Sequence, residues 1–524
     1  MKRLGIFLGF TPKQMVPHEG IARLIGFIVK GATESGDISV TLAGPSWLKP
    51  EIIALLDDAN VPRGSVEIVT TRKEPYIVKI WRVLAKIKSR DKKPKARKHR
   101  LKRLVKQLLL LVVSWLSTRS TLLFVAGCIL LAAAALILAI PLLLVLIFLA
   151  AAFVGSRTLP RVSRHPISHR VLGKLGEFKL SVTSSLNIVD RVRESELKRL
   201  IGKVNRRKDI DVWYVPSMFW PEVSGLQGKV VMAAPDIVFY EHPSQYTTAE
   251  FRGALDRISA SVKAADHLIC YSDYVRQNHM VERQHVPEER VSVIRHGFVD
   301  TSAVERGDGS REASLDVLHS YLQKKKHQLP SYLAGFRFDD VPFLFYSSQV
   351  RPHKNIEGLV ITYEKLLREH FRPVKLVLTG RFSGNDRIAG IVRKHGLERD
   401  VISLPSVPND VLAALYRLSC LSVNPTMFEG GFPFTFAEGY SVGTPSIMSR
   451  IPVVTEIIKD ESLLDMMTFD PRDRDEMLKK ILWGMDNADA LYNAQRPLFD
   501  SMSMRTWTTV ADEYLGLMRK VAEE

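Results

Sequence analysis

The chain is 524 residues long, 46% hydrophobic and 25% charged, a balance that suits two or three folded domains and excludes a disordered polymer. Its formal net charge of +18 raises the question of a nucleic-acid partner, but residues 81–106 carry 13 Lys and Arg against one Asp, and residues 156–174 carry five basic residues and no acid. Arg119, between them, adds one more, and everything outside residues 81–174 is neutral overall, which excludes a generally basic domain surface and points to one local device.

In chain order, residues 4–9 read as a buried strand, Gly20 to Lys30 as a helix opening and Ile38 to Gly44 as a second strand. This is a βαβ start, with a ligand expected at the loop after the first strand. Met1-Lys2-Arg3 leads directly into that strand, so no signal peptide is visible. Cys128, Cys270 and Cys420 are scattered, without metal-ligand spacing, and point to reduced thiols in a reducing compartment.

Residues 121–154 form 34 consecutive positions without a formal charge, almost wholly apolar. As one straight helix they would run about 51 Å against about 30 Å of bilayer hydrocarbon, so a break is expected, and Pro141 is the place for it. Residues 81–174 are therefore expected to be a basic and hydrophobic membrane insertion. If residues 1–80 and 175–310 build one N-terminal domain, both must lie on the same side of the bilayer. That requires an even number of passes or a re-entrant hairpin. Basic flanks on both sides predict that both ends are cytoplasmic and attract membrane lipids. Nucleic-acid binding by the basic run is the weaker reading, since membrane topology already accounts for it.

Beyond the insertion, residues 211–216, 229–236, 267–272 and 291–297 read as successive parallel strands, with a helix from Phe251 to Ala264 among the connections. The polar stretch 301–340 breaks this rhythm and reads as an interdomain connection with a helix inside it; the linker proper is placed at 311–340. A second βαβ series then begins, giving a C-terminal domain over 341–524.

The richest stretch is Phe428-Glu429-Gly430-Gly431-Phe432-Pro433-Phe434-Thr435-Phe436-Ala437-Glu438-Gly439. Two glycines after an acid let the backbone approach a ligand and present bare N–H donors. Carboxylates on either side of the turn can accept hydrogen bonds from sugar and ribose hydroxyls. The plain structural alternative is a helix N-terminus with an acid in its first turn.

Together with Phe343 to Asn355, Val374 to Gly380, Asp410 to Tyr416, Phe469-Asp470-Pro471 and a late Trp507 near Tyr514, this run resembles the donor-binding domain of the retaining GT-B glycosyltransferases of family 4. The matching pieces fall in that family's order over residues 342–517. The resemblance implies two Rossmann-like doubly wound domains facing a cleft. It also implies transfer of a hexose from a nucleotide-diphosphate sugar to a hydroxyl acceptor, with no cofactor and no metal. Lys354 would offset charge on the leaving diphosphate. The family's second cation is replaced by Ser348, and Arg351 is the nearest substitute. Glu429 and the N–H groups of Gly430, Gly431 and Phe432 would hold the sugar, and Glu438 the ribose. The two acids stand nine positions apart where the family has eight. Gly380 would let the nucleotide approach, and Gly20 resembles the family's cleft-facing glycine loop. On the acceptor side, Asp236 resembles the Asp of a His-Asp pair, but Pro235 stands where the His would be; His242 is the substitute. Asp209, Asp211, Asp473 and Asp475 read as structural acids, not metal ligands.

The implied function is a membrane-associated glycosyltransferase, at the cytoplasmic face, acting on a lipid-linked or saccharide acceptor in cell-surface polysaccharide or glycolipid synthesis. Two alternatives stay open. One is a nucleotide-sugar epimerase of similar fold, which would turn over without an acceptor. The other is a catalytically inactive membrane scaffold, kept open by Pro235 and Ser348.

Overall fold

The computed structural model describes residues 1–12, 14–15, 20–75, 78, 188–207, 209–382 and 386–524. The apolar segment 121–154 and its basic flanks lie outside the described residues. Among the described residues no helix is long and apolar enough to cross a membrane.

Two parallel sheets organise the chain. In the first, β1 (Arg3–Phe7), β2 (Ser39–Gly44), β3 (Val66–Thr70), β4 (Val212–Val215), β5 (Lys229–Ala233), β6 (His267–Cys270) and β7 (Val291–Val293) run in the order β3-β2-β1-β4-β5-β6-β7. Leu4 of β1 registers with Val40 on one side and Val212 on the other, so residues far apart along the chain share one sheet. The strand order reverses at β1, the doubly wound arrangement that opens a crevice at the carboxyl ends of the strands. Helices α1 (Gly20–Glu34), α2 (Lys49–Asp58), α3 (Ile188–Val204), α4 (Val238–Glu241) and α5 (Thr248–Ala264) belong to this half, with a π-helix at Val275–Val281.

The second sheet holds β8 (Phe343–Tyr346), β9 (Lys375–Leu378), β10 (Val401–Ser403), β11 (Leu421–Asn424), β12 (Ser446–Ser449) and β13 (Thr468–Phe469), in the order β10-β9-β8-β11-β12-β13. Its helices are α6 (Arg311–Lys325), α7 (Ile356–Arg368), α8 (Arg387–Lys394), α9 (Asn409–Leu418), α10 (Phe434–Tyr440), α11 (Pro452–Ile457), α12 (Glu461–Met467), α13 (Arg474–Asp486) and α14 (Ala488–Ser503). A parallel sheet covered on both faces needs strands that are apolar throughout. β8 shows the consequence: Leu344 and Tyr346 enter one core with Leu376 and Ile447, while Phe343 and Phe345 enter another with Leu318 and Tyr416.

Two segments depart from the sequence expectation. The stretch 311–340 holds the helix expected inside the connection, but it also packs into the core of the second sheet. Ser310 caps α6 by accepting from the Ala313 N–H at 3.1 Å, and Leu318, Leu322, Leu333 and Phe338 are buried beside β8. Its apolar positions are spaced at one helical face among many charged residues, which disguises the face in composition. The second departure is the last helix, α15 (Trp507–Glu523), expected within the 341–524 domain. Its Val510, Tyr514, Leu515 and Met518 are buried in the N-terminal core instead. Trp507 stacks on Phe27 of α1, with ring centroids 5.5 Å apart, and Tyr514 meets Tyr214 of β4 edge-on at 5.5 Å. Gly297 permits this crossing, because a Cβ there would lie 2.7 Å from the Trp507 ring.

Candidate active site

A cavity of about 380 Å³ opens between the two sheets, at the carboxyl ends of their strands. The N-terminal half contributes Pro235 and Asp236 after β5, Tyr271 after β6 and His296 after β7. The C-terminal half contributes Ser347 to Gln349, Arg351 and Lys354 after β8, Asn424 at the end of β11, the Glu429–Pro433 turn, and Phe434, Thr435 and Glu438 of α10.

The cationic and acidic turns are tied together by backbone chemistry. Lys354 closes a short 3₁₀ turn, Pro352–Lys354, and Asn355 follows in the left-handed region at φ 51°, its side chain donating to the Pro471 carbonyl at 2.9 Å. The His353 carbonyl accepts from the Met427 N–H at 2.7 Å and from the Thr426 hydroxyl at 3.3 Å. That hydroxyl also donates to the Phe428 carbonyl at 3.0 Å. The turn carrying Lys354 is therefore bonded directly to the residues that lead into Glu429, and the Lys354 ammonium donates to Glu429 Oε1. Side chains of the pair are 18% and 22% exposed, open to the cavity yet partly desolvated.

Across the cavity, Asp236 has its carboxyl pKa raised, first by burial and then by the Glu429 carboxylate, while His279, Lys354 and Arg351 act in the opposite sense. Glu438 is raised by burial as well; the Tyr416 hydroxyl donates to it at 2.9 Å, and that bond and Arg23 pull the other way. His296 is pushed down to about 4 by burial, so it is an uncharged imidazole at neutral pH. It lies against Tyr271 and Phe434, with centroids at 4.1 and 4.7 Å.

The glycine turn has a packing reason as well as a ligand reason. A Cβ on Gly430 would stand 2.0 Å from the Pro235 carbonyl oxygen, and one on Gly431 would stand 3.1 Å from His296 Cδ2. Ser272 donates to the Gly430 carbonyl at 2.9 Å. This bare backbone is what lets the halves approach.

The structure brings Lys354, Arg351, Glu429, Gly430, Gly431, Phe432, Glu438 and Asp236 to one cavity. Three other sequence candidates fall outside its lining. Gly380 is buried, and a Cβ there would meet Val350 at 2.8 Å and the Ser348 carbonyl at 3.1 Å, so close packing of β9 against the loop after β8 is what excludes a side chain. His242 lies between α4 and the following turn, its Nε2 without a hydrogen-bond partner among the described residues and its pKa lowered by burial. Gly20 opens α1 next to the cavity rim, 3.9 Å from Phe434 when given a Cβ. Asp211 accepts from the Lys2 and Arg3 backbone at 2.6 and 3.0 Å, and Asp473 caps α13, both structural tasks. Among the described residues no group of three or more His, Cys, Asp or Glu could hold a metal ion.

Tyr271, His296, Asn424 and Thr435 line the cavity and were not singled out from sequence. The available signal was position: Tyr271 and His296 fall at the carboxyl ends of the strands expected over 267–272 and 291–297, where parallel sheets place their ligands.

Comparison with known proteins places this geometry. Residues 334–496 match the family described as glycosyl transferases group 1. An uncharacterized glycosyltransferase of Methanocaldococcus jannaschii is 26% identical over 194 residues, covering 36% of this chain and 46% of that protein. O-antigen chain mannosyltransferase B of Escherichia coli is 28% identical over 260 residues, covering 49% of this chain and 62% of that protein. The chain thus spans about half the length of the curated relatives it matches. Among solved structures, Anabaena HepE in complex with UDP and glucose superimposes with a TM-score of 0.55 at 12% identity, covering 99% of this chain and 100% of that one. The E. coli trehalose-6-phosphate protein bound with UDP-2-fluoro glucose gives 0.53 at 10% identity, covering 100% and 99%. At such identities the likeness is one of fold: two parallel α/β sheets as in the GT-B glycosyltransferases.

Proposed function

We propose that this chain is a metal-independent, retaining glycosyltransferase that moves a hexose from a nucleotide-diphosphate sugar to a hydroxyl acceptor. The observation that carries the reading is the convergence of Lys354, Arg351, Glu429 and Glu438 on one interdomain cavity with Asp236 opposite. The group 1 match over 334–496 supports glycosyl transfer, and neighbours of similar fold hold UDP or a UDP-sugar.

In this reading the donor diphosphate lies against Lys354 and Arg351. As the bond from the anomeric carbon to phosphate breaks, negative charge grows on the leaving oxygen, and a fixed cation stabilises it more than the ground state. Glu429 then turns from Lys354 to accept sugar hydroxyls, and Glu438 accepts from the ribose. The acceptor oxygen bonds to the anomeric carbon on the face the phosphate leaves. Its proton passes to the departing phosphate oxygen, giving a glycoside of retained configuration and a nucleoside diphosphate. Burial between the two halves excludes water that would hydrolyse the donor. Asp236, its carboxyl pKa raised by burial and by Glu429, faces the cavity from the acceptor-side half.

The membrane part of the proposal rests on residues 81–174: an uncharged apolar run between basic flanks, suited to a cytoplasmic-face anchor and to a lipid-linked acceptor in cell-surface polysaccharide or glycolipid synthesis. The test is a screen of UDP- and GDP-hexoses with membrane lipid extract, following labelled lipid product and its anomeric configuration. A donor-only arm separates transfer from epimerisation. Absence of product with every donor, or inverted product, overturns the reading.

A further inference from the structure

The π-helix Val275–Val281 carries a histidine that the chemistry above does not use. His279 is 0% exposed. Its Nδ1 accepts from the Ile237 N–H at 3.0 Å, and its Nε2 lies 3.0 Å from Glu241 Oε1. A backbone N–H can only donate, so Nδ1 is the bare nitrogen and the ring proton sits on Nε2, donated to Glu241. Glu241 is held in turn by the Tyr274 hydroxyl at 3.1 Å and Arg283 at 3.3 Å. The ring also packs on buried Phe428, with centroids 5.4 Å apart and planes at 31°.

Those two contacts fall next to the cavity's acids. Ile237 follows Asp236, and Phe428 precedes Glu429. The start of the same segment is gripped from the C-terminal half: the Asp273 and Tyr274 N–H groups donate to Glu456 at 3.0 and 3.1 Å, and Arg295 reaches the same carboxylate at 2.7 Å. π-Helical turns are rare and recur at functional sites.

We propose that His279 is a positioning residue that sets Asp236 and Glu429 against each other across the cavity. One hydrogen bond fixes the backbone just after Asp236, and one ring face fixes the approach to Glu429. The consequence for turnover rests on the transferase reading; the coupling itself does not.

The test uses the full chain with His279→Asn, His279→Gln and His279→Phe. Asn places an oxygen where Nδ1 was and keeps the Ile237 bond, Gln keeps a donor toward Glu241, and Phe keeps only the ring face. Hydrogen exchange is followed in peptides covering 234–241 and 426–432, alongside release of nucleoside diphosphate from UDP-glucose and GDP-mannose. The Gln variant is expected to speed exchange in 234–241, and the Phe variant to do so while sparing 426–432. Asn, which loses the ring, is expected to speed 426–432 while sparing Ile237. A misplacement on the order of 1 Å costs about 10²-fold in rate, so Gln and Phe should lower kcat about 10- to 100-fold with donor KM within about threefold, and Asn should lose less. Unchanged exchange in both peptides overturns the proposal, as does equal exchange and kcat in all three variants with a common fall in Tm. If the wild type releases nucleotide from neither donor, the transferase reading suffers, while the exchange arm still decides the coupling.

Discussion

Lys354 and Glu429, 75 residues apart in the chain, form an ion pair inside the interdomain cavity. Each is the nearest opposite charge to the other, so removing either leaves its partner partly desolvated. Lys354→Ala and Glu429→Ala should each lower turnover by about 10²- to 10³-fold, the usual loss on deleting a charge-stabilising contact. Stability should change by only about 1 kcal/mol, because the pair is partly solvated. Turnover by nucleotide release and Tm by calorimetry check both; wild-type rates in either variant would sink the assignment.

Asp236→Asn should stabilise the protein while slowing it. The Asp236 pKa is raised by burial and by Glu429 above the model-compound 3.8. Its proton is therefore bound more tightly in the fold, and stability is lost as pH rises through the folded pKa. Asn mimics the protonated form at all pH. The variant's Tm should exceed wild type at pH 7, and the gap should close as pH falls toward 3.8. A gap independent of pH would contradict this.

His296 gives the opposite slope. Burial holds it at about 4 against an ordinary 6.5, so its contribution is complete above 6.5 and lost as pH falls through about 4. His296→Phe fits the ring between Tyr271 and Phe434 without a titrating nitrogen. Its Tm should fall less than wild type between pH 7 and 4.5. His242 and His353, also lowered by burial, should keep some acid sensitivity in both proteins.

Gly430→Ala tests the closeness of the two halves. Its Cβ would lie 2.0 Å from the Pro235 carbonyl, which forces backbone apart. About 10²-fold loss of turnover is expected from displacing Glu429 on the order of 1 Å. Gly390→Ala, in α8 with nothing within 4 Å, is the control; it should stabilise by about 0.5–1 kcal/mol and leave turnover unchanged. Equal behaviour of the two variants would remove the steric argument.

Met518→Ala, near the C-terminus, should destabilise the N-terminal half. Met518 is 0% exposed and packs in the core built around β1 and β4. Loss of about 2–5 kcal/mol is expected for such a buried truncation, read by denaturant unfolding. Hydrogen exchange should rise in α1, against which α15 packs. Exchange rising only in the second sheet would show the helix to be placed wrongly.

Much of the fold was legible because parallel strands buried on both faces must be apolar along their length. Runs such as Leu4 to Gly9, His267 to Ser272 and Phe343 to Tyr346 announce themselves. The observed strands Val66–Thr70, Val401–Ser403, Leu421–Asn424 and Ser446–Ser449 were not anticipated. They are short, and Ser and Thr within them spoil the apolar pattern, although Ser422, Ser446 and Ser449 are fully buried.

By itself, the sequence determined the local chemistry: an acid before two glycines, a lysine beyond a strand, an uncharged run between basic flanks. Each is a property of neighbouring residues and survives without coordinates. Tertiary structure alone decided that Lys354 meets Glu429, that Gly430 lies against Pro235, that Gly380 faces packing and not the cavity, and that the final helix returns to the first sheet. Those facts depend on which surfaces fit together once the chain has closed. Such fits are set by close packing between segments distant in sequence, which no local pattern encodes.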